Sequence, residues 1–109
     1  MADVNAVAHT LISALAEPRR HQIVELLARE VQLNASDIAS HFEVTPAAIS
    51  QHLKVLREAE VVTMTKRAQQ RLYHINPRAF AELEEWSRRM KETWEARFDQ
   101  LDALLKENN

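Results

Sequence analysis

TPAAISQHLKVLREAEVVTMTKRAQQRLYHI, residues 45–75, joins a short amphipathic helix to a β-branched, basic segment, and that junction decides the fold. Thr45 suits an N-cap, and Pro46 suits the first helical position, where a missing N–H costs nothing. The pattern predicts a helix over residues 46–59. Ile49, Leu53 and Leu56 recur at threes and fours and form one buried stripe, which leaves Thr45, Ala47, Ala48, Ser50, Gln51 and Lys54 turned elsewhere. A helix entering the major groove needs such groups: small residues for close approach, amides or hydroxyls for base edges, and cations for phosphates.

From Val61 the periodicity becomes strand-like, because Val61–Thr65 is rich in β-branched residues and precedes a polar loop. A return strand is expected over Arg71–Ile75, giving a two-stranded antiparallel wing over residues 61–75. The chain contains no glycine, so Arg67-Ala68-Gln69-Gln70 should avoid a two-residue turn and form a longer loop around a type I turn. A left-handed cap at Glu60 would cost about 1 kcal/mol without glycine, so the helix is expected to end by another route.

Upstream, Asp3 is a candidate cap for a helix of about residues 4–16, with Val7, Leu11, Ile12 and Leu15 on one side. Pro18 opens a second helix that ends near Arg29, with Ile23, Val24, Leu26 and Leu27 inward. Ser36 is the expected cap of a short third helix, Asp37–Phe42, and Glu43 and Val44 form the turn into the helix at 46. The short helix, tight link and second helix make a helix-turn-helix. Downstream, Asn76 and Pro77 open a helix to about Lys106. The whole is expected to be mainly α with a small β-wing, five helices in a single domain over residues 1–109.

That last helix carries Phe80, Leu83, Trp86, Met90, Trp94, Phe98, Leu101 and Leu105 in one apolar stripe. A chain of 109 residues buries only about two thirds of its unfolded surface, too little to cover so long a stripe. A two-fold homodimer through the first and last helices is expected, with Leu11, Leu15, Phe80, Leu83, Trp86, Met90, Trp94, Phe98 and Leu101 at the interface. The plainer alternative is that the stripe is intrachain core.

Charge points the same way as the motif. Residues 46–75 hold five bases against two acids, a net +3, whereas residues 1–45 hold three against six and residues 76–109 six against eight. Positive charge confined to one segment of an acidic chain favours local phosphate attraction. In the wing, Arg67, Gln70 and Arg71 are the candidate contacts, an arginine suiting the negative potential of a narrow minor groove. Arg19 and Arg20 are further candidates for phosphate. His52 either contacts phosphate or braces the helix.

Other chemistry finds little footing. With no cysteine there is neither disulfide nor thiolate metal site. His9, His21, His41, His52 and His74 are dispersed, with no i,i+4 pair, so neither metal nor cofactor is expected. No glycine-rich phosphate loop or nucleophile elbow occurs, which argues against an enzyme. The N-terminal stretch MADVNAVAHTLISALAE lacks a basic leader, and no apolar run approaches a membrane span, so a cytoplasmic protein without membrane contact is expected.

LAEPRRHQIVELL, DIASHFEVTPAAISQHLKVLREAEVV and RLYHINP together give residues 15–106 a resemblance to the ArsR family of winged-helix repressors. The run Ser50–Leu56 matches the family's recognition-helix signature. From Pro77 the tail, with Trp86, Thr93-Trp94-Glu95 and Arg97, is similar to family members often encoded beside small START-like ligand-binding proteins. The resemblance implies a homodimer that represses transcription from a palindromic operator until a metal or other signal releases it. The family's metal sites are missing. Asn34 and Ser36 stand where metal-sensing relatives carry cysteines, and no histidine follows His74 to join Asp99 and Asp102 in a zinc site. The competing reading is a winged helix kept as a protein-interaction module with weak, non-specific DNA binding.

Overall fold

A computed structural model of the chain describes residues 4–107. The order is α1 (Val4–Ala16), α2 (Pro18–Glu30), α3 (Ala35–Ser40), α4 (Pro46–Glu58), β1 (Val62–Arg67), β2 (Gln70–Ile75) and α5 (Pro77–Glu107). The cap expected at Asp3 lies outside the described residues. One core gathers Leu11 of α1, Ile23, Leu26 and Leu27 of α2, Ile38 of α3, Ile49, Leu53 and Leu56 of α4, and Val61 and Val62 at the hairpin, all at most 2% exposed. On α1 the buried side is Ala8, Leu11 and Ala14, while Ile12 is 41% exposed and faces away from it.

Three local expectations need correction. The cap of α3 is Asn34, not Ser36: Asn34 Oδ1 accepts the Asp37 N–H at 2.8 Å, and the helix starts and ends two residues early, at Ala35 and Ser40. Asn at this position is among the strongest N-caps, so the earlier start wins.

The end of α4 uses the left-handed route. Glu60 has φ 61°, its N–H donates to Arg57 O at 2.9 Å, and the Val61 N–H donates to Leu56 O at 2.9 Å. These are the paired bonds of a Schellman motif, with buried Val61 against buried Leu56 supplying its hydrophobic contact. Asn76 secures the turn from outside, Nδ2 donating to Glu60 O at 2.8 Å and its backbone N–H to Val61 O at 2.9 Å. Val61 is thereby used as the anchor after the helix, and β1 begins one residue later than the β-branched run suggests.

The hairpin turn is also tighter than expected. Arg67 pairs with Gln70, so only Ala68 and Gln69 form the turn. Ala68 alone of the two has positive φ, 55°, the sign pattern of a type II′ turn, whose twist suits a hairpin. Alanine bears a strain that glycine would avoid.

At the exit from α2, Val31 adopts φ 74° and ψ −55° and the Gln32 N–H reaches Glu30 O at 2.9 Å. This is the strained γ-turn, held here by a β-branched residue. It turns the chain so that Leu33 exchanges two backbone hydrogen bonds with Tyr73, of 3.1 and 2.8 Å, adding a one-residue bridge to the edge of β2.

The helix α5 has 31 residues, about 46 Å at the usual rise. Its first turns, with Ala79 buried and Phe80 and Leu83 partly buried, pack on the core beside α1. Beyond Arg89 every described residue is exposed. The radius of gyration, 19.1 Å, therefore exceeds the roughly 13 Å of a compact chain of this length, and the long dimension reaches 70 Å.

Candidate nucleic-acid interface

Burial of Ile49, Leu53 and Leu56 fixes which side of α4 faces out. Thr45, Ala47, Ala48, Ser50, Gln51 and Lys54 all lie on that exposed side. Thr45 Oγ1 is occupied, since it accepts the Ala48 N–H at 3.2 Å, so it fixes the start of the helix while facing solvent. Gln51 is the one amide among the six, with its donor and acceptor on separate atoms as bidentate recognition of a base edge requires.

His52 does not share this surface. Its side chain is 27% exposed, and Nδ1 lies 3.8 Å from Glu17 Oε2 at the start of α2. The bracing role is the one its position fits. Glu17 is the N-cap of α2, Oε2 accepting the Arg20 N–H at 2.8 Å. That backbone hydrogen bond, with His52 and Arg20 as nearby cations, holds the Glu17 carboxyl below the usual carboxylate range.

Arg19 and Arg20 are likewise engaged within the fold. Arg20 Nε donates to Ala14 O at 2.7 Å and Nη2 to Ser13 O at 3.5 Å, satisfying carbonyls at the end of α1. The Arg19 guanidinium sits 4.7 Å from the centre of the Phe42 ring, and Nη1 donates to Gln22 Oε1.

In the hairpin the register sorts the basic residues onto two faces. Arg67 and Gln70 are paired, and so are Lys66 and Arg71 on the opposite face. Arg67, Gln70 and Arg71 are exposed as expected. Lys66, which the sequence reading left out of the candidate contacts, faces Arg71 directly. Like charges directly opposite destabilise a hairpin, unless an anion lies over them. Strict alternation counted back from Arg71 would have found it. On the other face Thr63 and Thr65 hold the His74 ring, Thr65 Oγ1 at 3.0 Å from Nε2.

The charge pattern separates the two ends of the molecule. Among the described residues Lys54, Arg57, Lys66, Arg67 and Arg71 make no ion pair, while on α5 Arg88, Arg89, Lys91 and Lys106 all do. Arg88 bridges Glu85 and Glu92, and its side-chain hydrogen bond keeps Glu85 below the usual carboxylate range. The cations of α4 and the hairpin are thus available to an external anion; most of those on α5 are neutralised locally.

The proposed contact residues of the last helix divide at its midpoint. Leu11 is 2% exposed and lies inside the protomer; Leu15, Phe80 and Leu83 pack partly against the same core, and Trp86 is half-buried. Met90, Trp94, Phe98 and Leu101 are 42, 68, 57 and 53% exposed, and Leu104 and Leu105 extend the same apolar surface. The intrachain reading therefore describes the proximal half of the stripe, and the distal half stands uncovered on the protomer.

Comparison with known proteins agrees with the geometry. Residues 17–64 match the model for bacterial regulatory proteins of the arsR family. The transcriptional repressor SdpR of Bacillus subtilis is 31% identical over 78 residues, 72% of this chain and 86% of that protein. A solved structure described as a possible transcriptional regulator for arsenical resistance is 34% identical, has a TM-score of 0.66, and covers 85% of this chain and 93% of its own. An ArsR-like transcriptional regulator from a Rhodococcus species shares the fold at a TM-score of 0.84 and 22% identity, over 92% of this chain and 93% of its own.

Proposed function

Because the chain belongs to the ArsR family of bacterial regulatory proteins, and so is a DNA-binding transcriptional regulator, we propose that it is a cytoplasmic homodimeric repressor that reads a two-fold-symmetric operator. The observation that carries this reading is the outer surface of α4 and the hairpin. There the exposed Ser50, Gln51 and Lys54 stand over a fully buried stripe, and five cations have no carboxylate partner among the described residues. Gln51 reads a base edge and Lys54 neutralises a phosphate. Arg67 and Gln70 on one face of the wing, or Arg71 and Lys66 on the other, follow the neighbouring minor groove.

A two-fold operator requires two reading heads, and the distal half of α5 supplies the reason for pairing. Met90, Trp94, Phe98, Leu101, Leu104 and Leu105 leave an apolar surface in water that a second copy, related by two-fold symmetry, buries. The family's transcriptional function supports a regulator rather than an enzyme, and among the described residues no helix is long and apolar enough to cross a membrane.

Selection from a random-sequence duplex pool tests the reading. The chain should enrich one partly palindromic sequence and bind it at about 10⁻⁸ M or tighter. On that duplex Gln51→Ala should relax sequence preference, while Lys54→Ala should weaken all sequences alike and lower the salt slope by about one. Enrichment of nothing, with only salt-labile binding at micromolar concentration, would transfer the protein to the interaction-module reading. Monomeric sedimentation at micromolar concentration would end the homodimer proposal.

A further inference from the structure

Among the described residues four helices are capped by a side chain, α5 by Asn76 Oδ1, which accepts the Arg78 N–H at 3.2 Å, and the cap of α2 is unusual. Asn34 and Thr45 belong to the preferred set, whereas Glu17 has one methylene more than the aspartate that ordinarily fills such a position. The extra reach has a destination. The same Oε2 that accepts the Arg20 N–H at 2.8 Å lies 3.8 Å from Nδ1 of His52, on the neighbouring helix α4. Arg20 in turn holds the carbonyls of Ala14 and Ser13. One corner thus links the end of α1, the start of α2 and the middle of α4 through polar groups that are only partly exposed.

His52 occupies the position in α4 where such a tie has leverage. It lies three residues after Ile49 and four before Leu56, so it borders the buried stripe, while its neighbour Gln51 is on the exposed side. Rotation of α4 about its axis moves His52 and Gln51 together. We propose that His52 is a positioning residue for DNA reading: its ring, with Nδ1 3.8 Å from Glu17 Oε2, pairs with that carboxylate and fixes the roll of α4 relative to α1 and α2. This rests on α4 being the reading helix. The tie acts through Gln51 and Lys54 and touches no DNA itself.

The charged surroundings set the sign. From α2, Glu17 and Arg20 face this corner, and Arg20 is committed to the α1 carbonyls. From α1, His9 lines the adjoining cleft, with Glu58 of α4 on its other wall. On α3, His41 Nδ1 is engaged by Asp37 O at 2.8 Å, and on β1 Lys66 and Arg67 sit at the turn end of the hairpin. Glu17 is therefore the anion that a charged His52 meets. The tie joins two partly exposed groups, so its loss should weaken operator affinity a few-fold rather than abolish it.

Two substitutions test this on the duplex enriched from the random pool. Glu17→Asp retains a preferred N-cap and withdraws the carboxylate from His52; His52→Gln removes the imidazole that faces it. Both should melt within a few degrees of the wild type. Each variant should bind that duplex roughly threefold more weakly than the wild type, as expected of a partly exposed ion pair. The double variant should behave like each single one. Glu17→Asp alone decides if His52→Gln does not fold, because there the histidine is intact. Wild-type affinity in Glu17→Asp overturns the proposal. So does a loss in His52→Gln that adds in full to that of Glu17→Asp in the double variant, since that is a direct contact with DNA. Failure of the pool to enrich any duplex would instead remove the reading-helix premise.

Discussion

Replacing Glu60 by glycine should stabilise the protein, and the size of the gain follows from the backbone. Glu60 closes α4 at φ 61°, where the Cβ of an L-residue costs roughly 1–2 kcal/mol. Glycine escapes that cost but adds conformational freedom to the unfolded chain, worth roughly 0.5–1 kcal/mol. The difference leaves a net gain of about 0.5–1 kcal/mol. For a chain of this size that is a rise of about 2–4 °C in Tm. The Glu60 carboxylate also stands at the C-terminal end of α4, where the helix dipole disfavours negative charge. Glu60→Gln removes the charge and keeps the left-handed strain, so the backbone contribution is the difference between Glu60→Gly and Glu60→Gln. Thermal melts and urea titrations followed by circular dichroism give both numbers. If Glu60→Gly is no more stable than Glu60→Gln, the cap is not strained and the reasoning from φ fails.

Other expectations can be read from similarly simple measurements. Asn34→Ala should cost about 1 kcal/mol in urea titration, while Ser36→Ala stays within about 0.5 kcal/mol, because only Asn34 caps α3. Trp94→Asp places a charge in the middle of the exposed stripe and should shift sedimentation from dimer to monomer with helicity retained. Glu17 and Glu85 have lowered carboxyl pKa values in the folded state, from the Arg20 backbone hydrogen bond and the Arg88 side chain respectively. Their stabilisation is in place above the unfolded carboxylate pKa and is lost as pH falls through the folded values. Melting temperature should therefore drop less steeply below about pH 5 in Glu85→Gln than in the wild type.

Much of the interface was legible in the chain because it depends on local rules. A cap followed by proline and a stripe of Ile49, Leu53 and Leu56 fixes which faces of α4 are in and out, and charge counting locates the basic segment without coordinates. The roles of Asn76, Lys66 and His52 were less legible. Asn76 reads as a helix cap, yet it also holds Glu60 O and Val61 O sixteen and fifteen residues back. Lys66 acquires its significance only through the hairpin register that sets it against Arg71.

The absence of glycine misled for an identifiable reason. Local preference weighs about 1 kcal/mol against left-handed Glu60 and Ala68, and by itself argues for another cap and a longer turn. In the folded chain Val61 and Leu56 are both fully buried, and two further hydrogen bonds from Asn76 close the turn. Those contacts outweigh the local preference at Glu60, and at Ala68 the pairing of Arg67 with Gln70 leaves room for only a two-residue turn.

By itself the sequence determined the order of elements, the inward stripes and the net-basic reading segment, because periodicity, capping and charge act over a few residues. Only the tertiary structure decided which arginines are spoken for, that His52 turns to Glu17, and that α5 packs on its own protomer to about Trp86 and stands free beyond Arg89. Those outcomes depend on which distant groups arrive within hydrogen-bonding or packing distance, and no spacing along the chain encodes that.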